Sequence, residues 1–207
     1  MEPKWAEENL KTIRILMERS AIYRRALAPI MIFAGLLGVV AAALGLLGHL
    51  DSMRAFGEIW LGTAIIAVAG AFLIARRQAL KDSENFWSPP TRRVGLALFP
   101  ALAAGACLGV AFTFANGSRD FTLIVSMIWI LFYGCALHAA GFFMSRGIRL
   151  FGCMCVLGSC VLACGFIAGW INLFSLNPYW LMGFFFGGLH LAYGAYLYLT
   201  ERKNPVA

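Results

Sequence analysis

The 207-residue sequence is too apolar and too poor in charge for a soluble domain. Its residues are 61% hydrophobic and 13% charged, whereas soluble domains carry about 25% charged residues. The apolar residues fall in runs of about 18 or more, which predicts an all-α, polytopic integral membrane protein without a sizeable soluble domain. Its net charge of +7 is explained by Lys and Arg in cytoplasmic loops beside anionic lipid, so we expect the bilayer as a partner and no nucleic acid.

Residues 1–27 are polar with apolar residues at helical spacing. Trp5, Leu10 and Ile13 alternate with basic residues such as Lys11 and Arg14. This pattern predicts an amphipathic helix that lies in the cytoplasmic interface of the membrane. The alternative is a docking helix for a partner protein.

Six transmembrane helices are predicted to follow within residues 28–200. A helix needs about 20 mainly apolar residues to cross the hydrocarbon core. The predicted spans cover residues 29–47, 59–75, 94–114, 121–144, 150–170 and 180–199, and residues 201–207 form a short charged tail.

The orientation follows from the distribution of Lys and Arg. If the N-terminus is inside, 15 of the 17 basic residues lie on the cytoplasmic side, and only Arg54 and Arg119 lie outside. This bias obeys the positive-inside rule and predicts that both termini are cytoplasmic. The short loops are similar to those of small bacterial proteins of the cytoplasmic (inner) membrane, where we place this chain.

Two pairs of glycines have the spacing of a helix-contact motif. Gly105 and Gly109 lie in the third predicted span, and Gly165 and Gly169 lie in the fifth. Small residues four positions apart let helix backbones approach closely. These positions are therefore predicted to pack helices together, within the chain, against a protein partner or in a homo-oligomer.

The residue types that catalysis needs are missing from the predicted spans. All ten acidic residues lie outside the spans or at their edges, and no phosphate loop, nucleophile elbow or H-E-x-x-H motif occurs. The six cysteines lie in apolar runs and are interpreted as core residues. We therefore predict no catalytic residue and no metal site, and an enzyme is the less favoured class.

Two histidines within the predicted spans are the strongest candidates for functional residues in this chain. His138 shares a helix face with Gly134 and Gly141 in the fourth span, and His190 shares one with Gly187 and Gly194 in the sixth. An ionisable group near the middle of a span is costly and needs a partner. In one interpretation, each imidazole makes an interhelical hydrogen bond, and no cofactor is expected.

The second interpretation is a haem b site. The glycines beside the histidines resemble those of membrane b-type cytochromes. That resemblance implies that His138 and His190 are axial ligands of the iron, with the glycines leaving room for the macrocycle. Arg146 or Arg149 would pair with the haem propionates.

Three functions are consistent with these features. The first is a non-enzymatic accessory or regulatory membrane subunit that acts through helix–helix contacts. The second is a channel or uniporter for a small neutral solute, which the three-plus-three arrangement of spans and the absence of carboxylates within them favour. The third is electron transfer by a b-type haem held by the two histidines.

Overall fold

The computed structural model describes residues 26–81, 83, 86–115, 119–170 and 176–203, and within these residues it is all-helical, with no strand. The predicted N-terminal interfacial helix falls on residues 1–25, which lie outside the described residues. The helices are α1 (Ala26–Leu47), α2 (Met53–Lys81), α3 (Pro89–Thr113), α4 (Arg119–Ala140) and α5 (Arg146–Ile167). By length and composition, these five helices are able to cross a membrane.

The last helical stretch, α6, consists of three consecutive pieces. Pro178–Met182 is α-helical, Gly183–Gly188 is π-helical, and Leu189–Lys203 is α-helical again. Pro178 begins the stretch, where its missing N–H costs nothing, and the Asn177 side chain accepts the Tyr179 N–H at 2.9 Å. The π-helical piece inserts one extra residue into the turn and therefore rotates the residues that follow it.

Most predicted helix ends differ by a few residues from those in the structure, and the largest differences are in α2. α2 extends beyond residues 59–75 at both ends. α4 ends at Ala140, before the predicted residue 144, because the Phe142 and Phe143 N–H groups bond three residues back and close the last turn. As a result, Gly141 is the first residue after α4 and not part of its face.

The fifth helix also ends early, at Ile167. Gly169 adopts a φ of +73°, the Trp170 N–H bonds to the Gly165 carbonyl, and the Gly169 N–H bonds to the Phe166 carbonyl. This pair of bonds is a Schellman motif, in which a residue in the left-handed region terminates a helix. Gly169 therefore stops α5 instead of packing it against another helix.

Neighbouring helices run antiparallel. Gly35 of α1 faces Leu191 of α6, whereas Gly183, which lies earlier in α6, faces Ala42, which lies later in α1. Reversed pairings of the same kind join α2 to α3, α3 to α4, and α4 to α5: Gly57 with Thr113, Gly105 with Phe132, Gly109 with Trp129, Gly134 with Cys155, and Gly141 with Arg149.

The alternation places the charges at two ends of the bundle. One end, here called the basic end, comprises the last turns of α2, α4 and α6 and the first turns of α1, α3 and α5. Its described side chains include seven cations: Arg76, Arg77, Lys81, Arg92, Arg93, Arg146 and Arg149. The opposite end carries Asp51 together with an exposed ion pair between Arg54 and Glu58 at 2.8 Å.

Aromatic side chains fill the centre between α2, α4, α5 and α6. Phe56 stacks on Trp129, and Trp60, Phe186 and Tyr133 continue the series with ring centroids 5.0 to 6.3 Å apart. With three further rings, the aromatic side chains at this centre are Phe56, Trp60, Trp129, Tyr133, Phe151, Tyr179, Phe186 and Tyr193.

Candidate functional site

His190 lies fully inside the bundle, with 1% of its surface exposed. Its Nδ1 is 2.9 Å from the Phe185 carbonyl, and its Nε2 is 2.6 Å from the Tyr133 hydroxyl. A carbonyl can only accept, so the proton of a neutral ring must be on Nδ1, and Nε2 then accepts the Tyr133 O–H. Both nitrogens of a neutral imidazole are thus satisfied by the protein.

Aromatic rings enclose the remaining surface of this imidazole. Phe151 of α5 meets the ring edge-on with centroids 4.8 Å apart, and Phe186 stacks on it at 6.0 Å. The π-helical piece has its own signature: the Leu189 N–H bonds to the Phe184 carbonyl, five residues back. Such π-helical turns are frequent at functional sites, and here the turn ends two residues before His190.

His138 lies in a different environment, half-buried between α4 and α5. A hydrogen bond of 3.1 Å joins its Nδ1 to the Cys153 sulfur. Phe142 packs against the imidazole edge-on, and the Arg149 guanidinium lies 5.1 Å from the centre of the Phe142 ring. The structure therefore gives each predicted histidine its own partner: Tyr133 for His190 and Cys153 for His138.

The glycines beside the histidines face neighbouring helices. A Cβ at Gly187 would lie 2.9 Å from Val39 of α1, and one at Gly194 would lie 2.8 Å from Ile32 of the same helix. A Cβ at Gly134 would lie 2.8 Å from the Gly152 carbonyl of α5, and one at Gly141 would lie 2.7 Å from the Arg149 Cα. These positions are glycine because another backbone or side chain occupies the space.

This arrangement does not fit a haem held by the two histidines. An axial ligand needs a ring nitrogen free to meet the iron, but both nitrogens of His190 are hydrogen-bonded within the protein. The space that the macrocycle requires is occupied by α1 beside His190 and by α5 beside His138. Haem binding would therefore require the helices to separate.

The glycines of α3 face α4. Gly105 contacts Phe132, and Gly109 lies under the Trp129 indole. The Trp129 Nε1–H also donates to the Gly105 carbonyl at 2.9 Å. This pair therefore packs two helices of the same chain, whereas Gly165 is buried in the last turn of α5, where its carbonyl accepts the Trp170 N–H.

Helix α4 is the centre of the polar contacts between helices. It bonds to α3 through Trp129, to α5 through the Ser159 hydroxyl on the Met127 carbonyl at 2.8 Å, and to α6 through Tyr133. Half of its most apolar 18-residue window is buried, against 6% for α2. A helix with such contacts positions the site residues rigidly.

Sequence reasoning did not identify the partners of the histidines or several glycines of close approach. Tyr133 lies five residues before His138 in an apolar run, where its hydroxyl needs a hydrogen-bond partner. That need could have identified Tyr133 as a candidate partner for a histidine. A Cβ at Gly152 would lie 2.5 Å from the His138 backbone nitrogen, closer than at any glycine predicted beside the histidines, but glycine spacing alone did not single this position out.

Comparison of the chain with protein-family models, with curated protein sequences and with solved structures finds no match. The function is therefore argued from the residues and their contacts.

Proposed function

We propose that this chain is an integral membrane protein of six spans that acts without catalysis, as an accessory or regulatory subunit that works through helix–helix contacts. The sixth span is α6, whose pieces have 5, 6 and 15 residues. At about 1.5 Å per residue, they are long enough together to cross about 30 Å of hydrocarbon.

The charge distribution supports a bacterial inner-membrane location with both termini in the cytoplasm. The basic end carries seven described cations, and the opposite end carries Arg54 beside two acidic residues. Cytoplasmic ends of membrane helices are enriched in Lys and Arg. The basic end is therefore proposed to face the cytoplasm.

The observation that carries the functional proposal is the use of both helix histidines in intramolecular bonds. His190 has no ring nitrogen left for a ligand, and His138 is bonded to the neighbouring helix. The hydrogen bonds of the two histidines thus hold α4 against α5 and α6. The features that we propose to meet an external partner are exposed helix surfaces.

Among the five long helices, α2 has the smallest buried share of its apolar window. Its apolar window is 6% buried, and Ile65, Ile66 and Phe72 are exposed. A Cβ at Gly62 on the same helix would meet nothing within 4 Å. A partner helix could therefore approach α2 closely at Gly62, as small residues permit in membranes.

The experiment is site-directed photocrosslinking in native membranes. A photoreactive residue at Ile66 is expected to give one discrete adduct, whereas the same residue at the exposed Val161 of α5 is expected to give none. Gly62→Leu should remove the adduct without lowering the yield of folded protein, because a Cβ at this position meets no other atom of this chain within 4 Å. If the chain is a monomer and neither position gives an adduct, the proposal is overturned.

The same preparation tests the two other functions. A strong Soret band that is lost in both His138→Ala and His190→Ala would establish a haem protein. Flux of a neutral solute into liposomes, above that of empty controls, would establish a channel or uniporter. Either result would replace the proposal of an accessory subunit.

A further inference from the structure

A surface pocket of about 380 Å³ lies at the basic end, where the loop after α2 leads into α3. It is lined by Trp87, Pro89, Arg92, Arg93 and Leu96. Neither histidine contributes to it, so it is distinct from the site described above. Its lining combines two guanidinium groups, an indole and an aliphatic side chain.

The walls of this pocket are held in place by local contacts. Phe86 packs edge-on against Phe72 of α2, with ring centroids 4.8 Å apart, and Trp87 lies 6.2 Å from Phe86. On the other side, the hydroxyls of Ser88 and Thr91 are 3.0 Å apart and hydrogen-bonded. The loop is therefore tied back onto α2 while the Trp87 indole remains 66% exposed.

The charged wall of the pocket suits an anionic group. Arg92 and Arg93 are both exposed, and within the residues that the structure describes neither is paired with a carboxylate. Guanidinium groups bind phosphate oxygens in a bidentate manner. Arg92 and Arg93 are the fourth and fifth residues of a 25-residue helix, whose dipole adds positive potential at this end.

The apolar wall of the pocket continues along α3, away from the basic end. Leu96 is 63% exposed, and Phe99, three residues further along α3, is 68% exposed. Trp87 lines the same pocket as the arginines and Leu96, so its indole lies where charged and apolar surfaces adjoin. Trp side chains prefer this boundary because it matches the headgroup level of a bilayer.

We propose that this pocket binds an anionic phospholipid, with Arg92 and Arg93 on the headgroup phosphate, Trp87 beside the glycerol region and an acyl chain along Leu96 and Phe99. Charge complementarity carries the choice of ligand, and the adjoining apolar residues favour a lipid over a free phosphate ion. The proposal needs only that the chain lies in a membrane, so it does not depend on the existence of a partner subunit.

Native mass spectrometry of the detergent-purified protein tests the proposal. The unmodified chain, titrated with phosphatidylglycerol, should retain at least one molecule of this lipid at concentrations where phosphatidylcholine is not retained. The double variant Arg92→Gln, Arg93→Gln should need roughly tenfold more phosphatidylglycerol, since each basic residue near the membrane surface contributes to attraction of anionic lipid.

The matched control is Arg76→Gln, Arg77→Gln, which removes the same charge from exposed positions at the same end but outside the pocket. Its phosphatidylglycerol retention should change less than threefold. If the two double variants lose phosphatidylglycerol retention equally, the lipid is held by general charge attraction, and the proposed site is overturned. Equal retention of the two lipids by the unmodified chain would also overturn it.

Two further arms complete the test. Inorganic phosphate at 100-fold excess should leave the lipid bound, and its release would show a site for free phosphate instead. If the double variant fails to fold, Trp87→Leu replaces it, because Trp87 is an exposed loop residue. Trp87→Leu should weaken phosphatidylglycerol retention, and unchanged retention would overturn the proposed lipid position.

Discussion

At the scale of single residues, His190 shows how this chain accommodates an ionisable group inside an apolar bundle. The neutral imidazole donates to the Phe185 carbonyl and accepts from the Tyr133 hydroxyl. A polar group that is buried without hydrogen-bond partners costs free energy, and this imidazole avoids that cost because both of its nitrogens are bonded. The pair therefore joins α4 to α6.

A double-mutant cycle measures this bond. Tyr133→Phe and His190→Leu should each destabilise the protein, and their effects should be coupled by about 1 kcal/mol, since interhelical hydrogen bonds in membranes contribute roughly 0.6–2 kcal/mol. The measurement is the free energy of unfolding in mixed detergent–SDS micelles.

The control cycle combines Tyr133→Phe with Ser159→Ala. Ser159 bonds to a different residue of α4, the Met127 carbonyl, so the two effects should add. Additive effects in the Tyr133–His190 cycle itself would contradict the assigned hydrogen bond.

At the scale of helices, glycines decide how closely α1 and α6 can pack. A Cβ at Gly38 would collide with the Phe186 carbonyl in the π-helical piece of α6, and backbone atoms cannot rotate away as a side chain can. A Cβ at Gly62 would meet nothing within 4 Å. Both glycines lie within helices, so intrinsic helix propensity is the same for the two positions.

The substitutions Gly38→Ala and Gly62→Ala should therefore have opposite effects. Gly38→Ala is expected to destabilise by roughly 1–3 kcal/mol through overpacking. Gly62→Ala should stabilise by about 0.5–1 kcal/mol, because alanine loses less backbone entropy on folding. Thermal unfolding in detergent compares the two variants, and equal effects would show that the α1–α6 contact is looser than described.

At the scale of the whole molecule, the antiparallel order of the helices separates the charges to two ends. Ser83 lies in the loop at the basic end, and Asp51 lies at the opposite end. If the basic end faces the cytoplasm, the two positions must differ in their accessibility from outside the cell. This difference does not depend on any functional proposal.

A cysteine introduced at either of these positions reports the orientation of the chain in the membrane. Asp51→Cys should react with a membrane-impermeant maleimide in intact cells, whereas Ser83→Cys should react only after permeabilisation. The unmodified chain measures the background, because its six cysteines lie within α3, α4 and α5. Labelling of Ser83→Cys in intact cells would reverse the proposed topology.

Composition and the length of the apolar runs were enough to predict an all-helical chain. Five of the predicted spans correspond to helices that can cross a membrane, because a helix satisfies its own backbone hydrogen bonds wherever it packs. Helix ends were less predictable. Gly169, for example, has the spacing of a packing glycine but terminates α5, because its backbone adopts a left-handed conformation.

The order of residues along the chain is enough to predict the apolar runs, the course of the helices apart from their ends, and the loops that carry the basic residues, because these properties are local. The contact of His190 with Tyr133, and those of Gly187 and Gly194 with α1, emerge only when the helices are packed together. The direction in which a side chain points depends on the rotation of its helix against its neighbours. In α6 that rotation is altered by the π-helical piece, which ideal α-helical spacing does not anticipate.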